Sequence, residues 1–217
     1  RPWMLGVGNH EAVCNYSEFT RRAAGNPYRA SMSSSPQYFS RLHGSVFLIA
    51  LSAEQGRLDS WDSEEFQWLR NQLHLAQELK RNGSSSFTLT FLHYPTQLTG
   101  YCSYSIGYCC DGQTNGDGQP CGKAKGGLNS SLWARAEDLF LEYEVDIHFT
   151  AHEHVYERSE PVYRYSLCPN TSSRHWSHEQ QYIDPACPLY VVTGSAGNVE
   201  VFPNTWLREP EWTHPSR

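Results

Sequence analysis

The stretch Val145-Asp146-Ile147-His148-Phe149-Thr150-Ala151-His152-Glu153-His154-Val155-Tyr156-Glu157-Arg158 changes character in its middle. Residues 145–150 are a short, mostly apolar run, and the residues directly after it are small, polar and rich in imidazole. A run of that length with β-branched and aromatic side chains fits a buried strand. His148 falls inside the run and is expected to be packed or hydrogen-bonded in a core. His152 and His154 fall just beyond it, where the chain leaves the sheet. The same change recurs along the sequence: residues 3–7 lead into Gly8-Asn9-His10-Glu11, residues 87–92 into His93-Tyr94-Pro95, and residues 189–193 into Gly194-Ser195-Ala196-Gly197-Asn198. A further run, residues 46–52, has no such cluster behind it and reads as structural.

Helical patterns separate these strands. Asp62 with Glu65 three residues later forms a candidate capping box, and Phe66, Leu69, Leu73 and Ala76 recur at helical spacing until Gly83 stops the run. Leu132, Ala136, Leu139, Phe140 and Tyr143 give a second apolar face after Asn129. Both faces read as core-packing surfaces. Strands alternating with helices imply an α/β fold, and such folds gather ligands at the carboxyl ends of their strands. The Asn and His residues fall at those ends. A Gly- and Cys-rich segment near residues 102–125 interrupts the alternation as a long loop, of the kind that forms lids or disulfide-held insertions.

Composition narrows the function classes. The chain has 217 residues, enough for one substantial domain, and 13% aromatics, which argues against disorder. Its net charge is -6 and its 17 Lys and Arg are scattered singly, so no basic stripe tracks a nucleic-acid backbone. No apolar stretch approaches the roughly 20 residues that span a bilayer. The chain starts at Arg1 and reads as a fragment of something longer. Cys102, Cys109, Cys110 and Cys121 resemble a disulfide-stapled loop of an oxidising compartment more than a zinc knot, since no pair of Cys-x-x-Cys motifs and no His accompanies them. The odd total of 7 cysteines leaves at least one thiol free or paired outside the chain. Asn-x-Ser/Thr sequons at Asn15, Asn82, Asn129 and Asn170 mark candidate glycosylation sites and support secretion.

His152 and His154 are spaced so that both rings can turn to one side and share a metal, although a His-x-His pair alone is equally well read as a surface pair. His93 alone is equally open to a core reading. Convergence is what favours a metal site: separate strand ends deliver imidazoles and the Asn9 amide to one sheet edge. Nitrogen and amide-oxygen ligands suit zinc, iron or manganese better than calcium. The clusters contain no carboxylate of the bridging kind that holds two ions roughly 3.5–4 Å apart in hydrolytic sites.

In their order, Gly8-Asn9-His10-Glu11, the strand ending in His93, and Ala151-His152-Glu153-His154-Val155-Tyr156-Glu157-Arg158 resemble the last three of the five ligand blocks of calcineurin-like metallophosphoesterases. The string from His154 to Arg158, the run Val192-Thr193-Gly194-Ser195-Ala196-Gly197-Asn198, and Ser52-Ala53-Glu54 before a helix with Phe66-Gln67-Trp68-Leu69 are similar to the purple acid phosphatase branch. The resemblance implies a sandwich of two mixed β-sheets flanked by helices, truncated at its N-terminus. Residues 1–205 would be the C-terminal portion of the catalytic domain, with a Cys-rich insert at about 100–126, and 206–217 the start of a C-terminal extension. It implies a binuclear centre of Fe(III) with Zn(II), Fe(II) or Mn(II). Asn9, His93 and His152 would bind the second, divalent metal and His154 the first, usually ferric, metal. His10 would contact the phosphate and assist the leaving group.

The implied reaction is acid hydrolysis of small phosphate monoesters by a metal-bound hydroxide, in a secreted or lysosomal/vacuolar protein. Alternatives are a phosphodiesterase of the same superfamily, or a secreted non-catalytic glycoprotein that kept the fold. Blocks with the Asp and Tyr ligands would precede Arg1, so the chain alone is expected to be inactive or nearly so. Ala151 stands where the family pattern has Gly, a change that suits a negative φ and not a positive one. Tyr156, Glu157 and Arg158 would orient the ligating imidazoles or serve as surface residues. His43, His74, His175, His178 and His214 lie outside the clusters and read as surface residues.

Overall fold

Four apolar runs form strands where their patterning places them. In this computed structural model, which describes residues 4–52, 60, 62–95, 130–163, 166–168 and 185–197, β2 (Val46–Ala50), β3 (Phe87–Phe91), β4 (Ile147–Thr150) and β8 (Leu189–Thr193) lie side by side and parallel. β1 (Phe39–His43) pairs antiparallel with β2, and β5 (Tyr156–Arg158) antiparallel with β8, giving a mixed six-stranded sheet in the order β1-β2-β3-β4-β8-β5. A two-stranded ribbon, β6 (Val162–Tyr163) and β7 (Ser166–Leu167), completes the strands. The chain is therefore α/β with a mixed sheet and flanking helices, as its periodicity implies.

Register explains which side chains are buried. Ile49 faces Thr90, Thr90 faces His148, and His148 faces Tyr190, a row running across one side of the sheet. All four are buried. That side carries α2 (Glu64–Arg81) and α3 (Ser130–Glu142). Phe66, Leu69, Leu73 and Ala76 of α2, with Ala136 and Phe140 of α3, pack on Phe47 and Ile49 to form the main core, so the described residues of both apolar helix faces do what their spacing implies; the Leu132 side chain lies outside the described residues. Leu139 and Tyr143 pack at its margin. The next row on the other side, Leu48, Leu89, Ile147 and Leu189, is only half-buried.

Two local expectations are corrected. The cap of α2 is Ser63, whose hydroxyl accepts from Phe66 N at 3.3 Å, rather than Asp62. Glu65 does not close a capping box: it is buried, and its Oε1 accepts from Ser52 N at 2.6 Å, tying the first turn of α2 to the end of β2. The second correction concerns residues 3–7, of which Met4 to Val7 are described and form no strand. Leu5 has its backbone taken by a side chain instead. Leu5 N donates to Asn26 Oδ1 at 3.0 Å, and Asn26 Nδ2 donates to Leu5 O at 2.9 Å and to Pro36 O at 2.8 Å. One buried amide so supplies the partners that a neighbouring strand would give. The segment then enters a 3₁₀ helix, Asn9–Tyr16, and α1 (Ser17–Arg22), held by Val7, Tyr16, Phe19 and Ala23 in a small cluster of their own.

The Cys-rich loop with Cys102, Cys109, Cys110 and Cys121 lies outside the described residues. Among those described, Cys168 and Cys187 form a disulfide and Cys14 is a free, exposed thiol. Sequon residues Asn15 and Asn82 are exposed, and Asn129 and Asn170 lie outside the described residues.

Candidate metal centre

Parallel pairing sends the carboxyl ends of β3, β4 and β8 to one edge, and the chain delivers its functional side chains there. His93 follows β3 by two residues and His152 follows β4 by two. The main chain joins the two exits, since Ala151 N donates to His93 O at 2.9 Å. Asn9 comes from the start of the 3₁₀ helix instead of from a strand end. Its position is set by reciprocal bonds between Gly8 and Glu11: Gly8 N donates to Glu11 Oε2 at 2.7 Å and Glu11 N to Gly8 O at 3.1 Å. Gly8 is needed because a Cβ there would lie 2.8 Å from Cε1 and Nδ1 of His93.

Three of the expected ligands meet. His93 Nε2 lies 2.8 Å from Asn9 Oδ1 and 3.0 Å from His152 Nδ1. An amide oxygen only accepts, and a ring nitrogen offers either one proton or one lone pair. If His93 Nε2 carries a proton, that single proton faces two acceptors. If it carries none, it and Asn9 Oδ1 confront each other as two lone pairs. Exchanging the amide atoms of Asn9 only reverses the mismatch, with two donors facing one lone pair. No assignment makes both contacts ordinary two-centre hydrogen bonds, whereas one cation would accept electron pairs from all three atoms. Ligands at about 2.0–2.1 Å from a zinc-sized ion stand about 2.9 Å apart at right angles and about 3.3 Å apart at the tetrahedral angle. The two separations match the right-angled arrangement of an ion with more than four ligands. The donor set therefore fits a borderline divalent metal. Among the described residues no group of three or more His, Cys, Asp and Glu surrounds a common point, and the trio itself consists of two imidazoles and one amide.

His93 is hard to protonate. Burial first, and then the charges of His10 and His154, push its pKa down from 6.5 to about 4. His10 is exposed and His154 half-buried, and both lie within electrostatic reach of His93. Glu153, buried between the two histidines, places Oε1 3.9 Å from His152 Nε2, the ring nitrogen not facing His93. A carboxylate thus stands near the outer nitrogen of one expected ligand, as an electrostatic neighbour and not as a hydrogen-bond partner. Of Tyr156, Glu157 and Arg158, expected either to orient the imidazoles or to serve as surface residues, Tyr156 is exposed on β5 and Glu157 is buried.

Two further groups escaped the sequence reading. The Tyr94 ring lies 5.1 Å from that of His93 and 4.8 Å from that of His152. Asn26, which fixes the segment leading to Asn9, acts over 21 residues and leaves no local signal. The substitution at Ala151 is explained: the left-handed residue of the turn is His152, with φ 60, and Ala151 does not share that conformation. Of the histidines read as peripheral, His43 and His74 are exposed, whereas His175, His178 and His214 lie outside the described residues. His148 is fully buried, with Nδ1 2.7 Å from Thr90 Oγ1, as its place inside a strand implies.

No family model matches the chain. Acid phosphatase type 7 of Homo sapiens is 30% identical over 94% of this chain and 43% of that protein. The Fe(3+)-Zn(2+) purple acid phosphatase 12 of Arabidopsis thaliana is 26% identical over 92% of this chain and 37% of that protein. The purple acid phosphatase of Glycine max is 24% identical over 92% and 38%. Among solved structures, a purple acid phosphatase from yellow lupin (Lupinus luteus) seeds superposes with a TM-score of 0.47 at 18% identity, covering 80% of this chain and 26% of that one. The chain spans less than half the length of these curated relatives. Over nearly its whole length, the chain is a homologue of the purple acid phosphatases.

Proposed function

We propose that the protein is a metal-dependent acid phosphatase that hydrolyses small phosphate monoesters at a binuclear centre. The observation that carries the reading is the convergence of Asn9 Oδ1, His93 Nε2 and His152 Nδ1 within 3.0 Å of one another's nearest neighbour, in a chain whose curated relatives are phosphatases. Asn9, His93 and His152 hold a divalent ion, Zn(II), Fe(II) or Mn(II). His154 is a ligand of the neighbouring Fe(III). When bound, the ions lower the pKa of water and neutralise charge on the phosphoryl oxygens.

The chain's own groups do the positioning. Glu153 keeps a carboxylate near the outer nitrogen of His152, Gly8 leaves room for the His93 ring, and Tyr94 walls both imidazoles. His10, exposed and within electrostatic reach of His93, contacts the phosphate and gives a proton to the departing alkoxide. Glycans at Asn15, Asn82, Asn129 and Asn170 belong to a secreted or lysosomal/vacuolar protein. Among the described residues no helix is long and apolar enough to cross a membrane.

Paired substitutions in the intact natural protein test the assignment. His152→Ala should remove divalent metal and activity together. His10→Ala should lower turnover by about 10²–10⁴-fold, the usual worth of general acid catalysis, while metal content stays unchanged. Equal metal loss in both variants would show that His10 is a ligand and not the proton donor.

A further inference from the structure

The turn carrying His152 and His154 is pressed from outside by a residue of another strand's exit. Gly194 directly follows β8; its amide donates to Val155 O at 3.0 Å. A Cβ at this position would lie 2.0 Å from the carbonyl oxygen of Glu153 and 2.8 Å from its carbonyl carbon. Both are main-chain atoms, so no rotamer change relieves the overlap and the turn itself must move. Gly194 is not in the left-handed region. What requires glycine is therefore the approach of the Glu153 carbonyl rather than backbone conformation.

The turn has little freedom to retreat. Glu153 N donates to Ala151 O at 2.7 Å and Val155 N to Glu153 O at 2.8 Å, while Ala151 N is fixed to His93 O. His152 already stands at φ 60. The Glu153 carbonyl cannot shift without rotating the peptide that leads into His154 and dragging the Cα next to that of His152. We propose that Gly194 is a positioning residue of the metal site. Its missing side chain lets the β8 exit clamp the histidine turn, which holds His152 Nδ1 against His93 Nε2. The proposal rests on the reading of His152 as a metal ligand.

Gly197 provides the control, since it has φ +75 but nothing within 4 Å of an added Cβ. Alanine there strains its own backbone and presses on nothing. The zinc dissociation constant of the metal-free intact protein, measured by competition with a chromophoric chelator, is expected to rise about 10–100-fold in Gly194→Ala, the usual consequence of disturbing the support of a metal ligand. Gly197→Ala should lower the melting temperature and leave zinc affinity within about twofold. Unchanged affinity in Gly194→Ala overturns the proposal, and so does equal weakening in both glycine variants. A measurement without substitution guards against a variant that does not fold: the clamp requires the Gly194 amide of the unmutated, metal-free protein, which donates to Val155 O, to be protected from hydrogen exchange, and free exchange there also overturns it. Absence of zinc binding in the unmutated protein, or unaltered binding in His152→Ala, overturns the ligand assignment itself.

Discussion

His152 occupies a backbone region that costs a non-glycine residue about 1–3 kcal/mol and persists only where its surroundings dictate it. The surroundings here are specific. Its ring stands 4.9 Å from that of His93 at 77°, and Tyr94 lies against both, at 70° to His93 and 56° to His152. Three rings in mutual edge-on or tilted contact fix one another's planes, and those planes decide where the nitrogen lone pairs point. Each such contact contributes about 0.5–1.5 kcal/mol beyond burial. Tyr94→Phe keeps every ring contact and should leave zinc affinity within about twofold. Tyr94→Leu should destabilise the protein by about 1–3 kcal/mol and weaken zinc binding, because the imidazoles lose their common wall. Calorimetric zinc titration of the two variants checks this. Equal loss in Phe and Leu would assign the effect to the hydroxyl, and no loss in Leu would sink the idea.

At the scale of elements, what was legible followed from period. β2, α2 and α3 bury apolar faces that their spacing marks in advance, and β8 buries Tyr190, Val191 and Val192. β3 and β4 instead turn Thr88, Thr90, His148 and Thr150 to the buried side, leaving Leu89, Ile147 and Phe149 half-buried and Phe87 and Phe91 exposed. Short elements carry too few residues for a period, so β5, β6 and β7 had no signal, and β1 buries only its first two residues. Residues 3–7 misled for a different reason: their composition suits a strand, but their partner is the Asn26 side chain. The cap of α2 was misplaced by one residue because Asp62 and Ser63 are both good caps, and Glu65, the acid that favoured Asp62, is used to hold Ser52 N. The β6–β7 ribbon shows how a weak element is retained. Cys168, just after β7, is joined to Cys187, just before β8, over a separation of 19 residues, and Val162 N donates to Pro188 O at 3.3 Å. Closing a loop of that length removes chain entropy from the unfolded state equivalent to about 3 kcal/mol. Cys168→Ser with Cys187→Ser should lower the unfolding free energy by about that amount in a urea titration. A change below about 0.5 kcal/mol would mean that ribbon and sheet hold together without the bridge.

The whole molecule combines two layers of requirement on one sheet. Its edge gathers the proposed metal ligands, while its helix-covered side buries Thr90, His148 and Tyr190 in a row among apolar groups. The meeting of His93 and His152 could be inferred from strand ends, whereas Asn9, expected at a strand end as well, arrives from a 3₁₀ helix, and the contacts that fix the group, Gly194 on Glu153 and Gly8 on His93, come from separate segments. The buried row has a global consequence. Burial pushes the His148 pKa from 6.5 down to about 3. Above 6.5 neither the folded nor the unfolded chain holds that proton, so His148 adds no pH dependence. Between 6.5 and about 3 the unfolded chain binds a proton that the folded chain refuses, so stability must fall as pH falls through that window. His93, lowered to about 4, acts in the same direction. Under the proposed function in acid this is a folding penalty, which a metal bound only by the folded state would offset. His148→Asn, whose side chain can keep the Thr90 contact, should be less stable at about pH 7 through lost packing, yet lose less on going to about pH 4.5. Urea unfolding of the metal-free protein and the variant at both pH values checks this. Parallel losses in the two proteins would show that His148 does not set the acid sensitivity and that carboxylates elsewhere in the chain do.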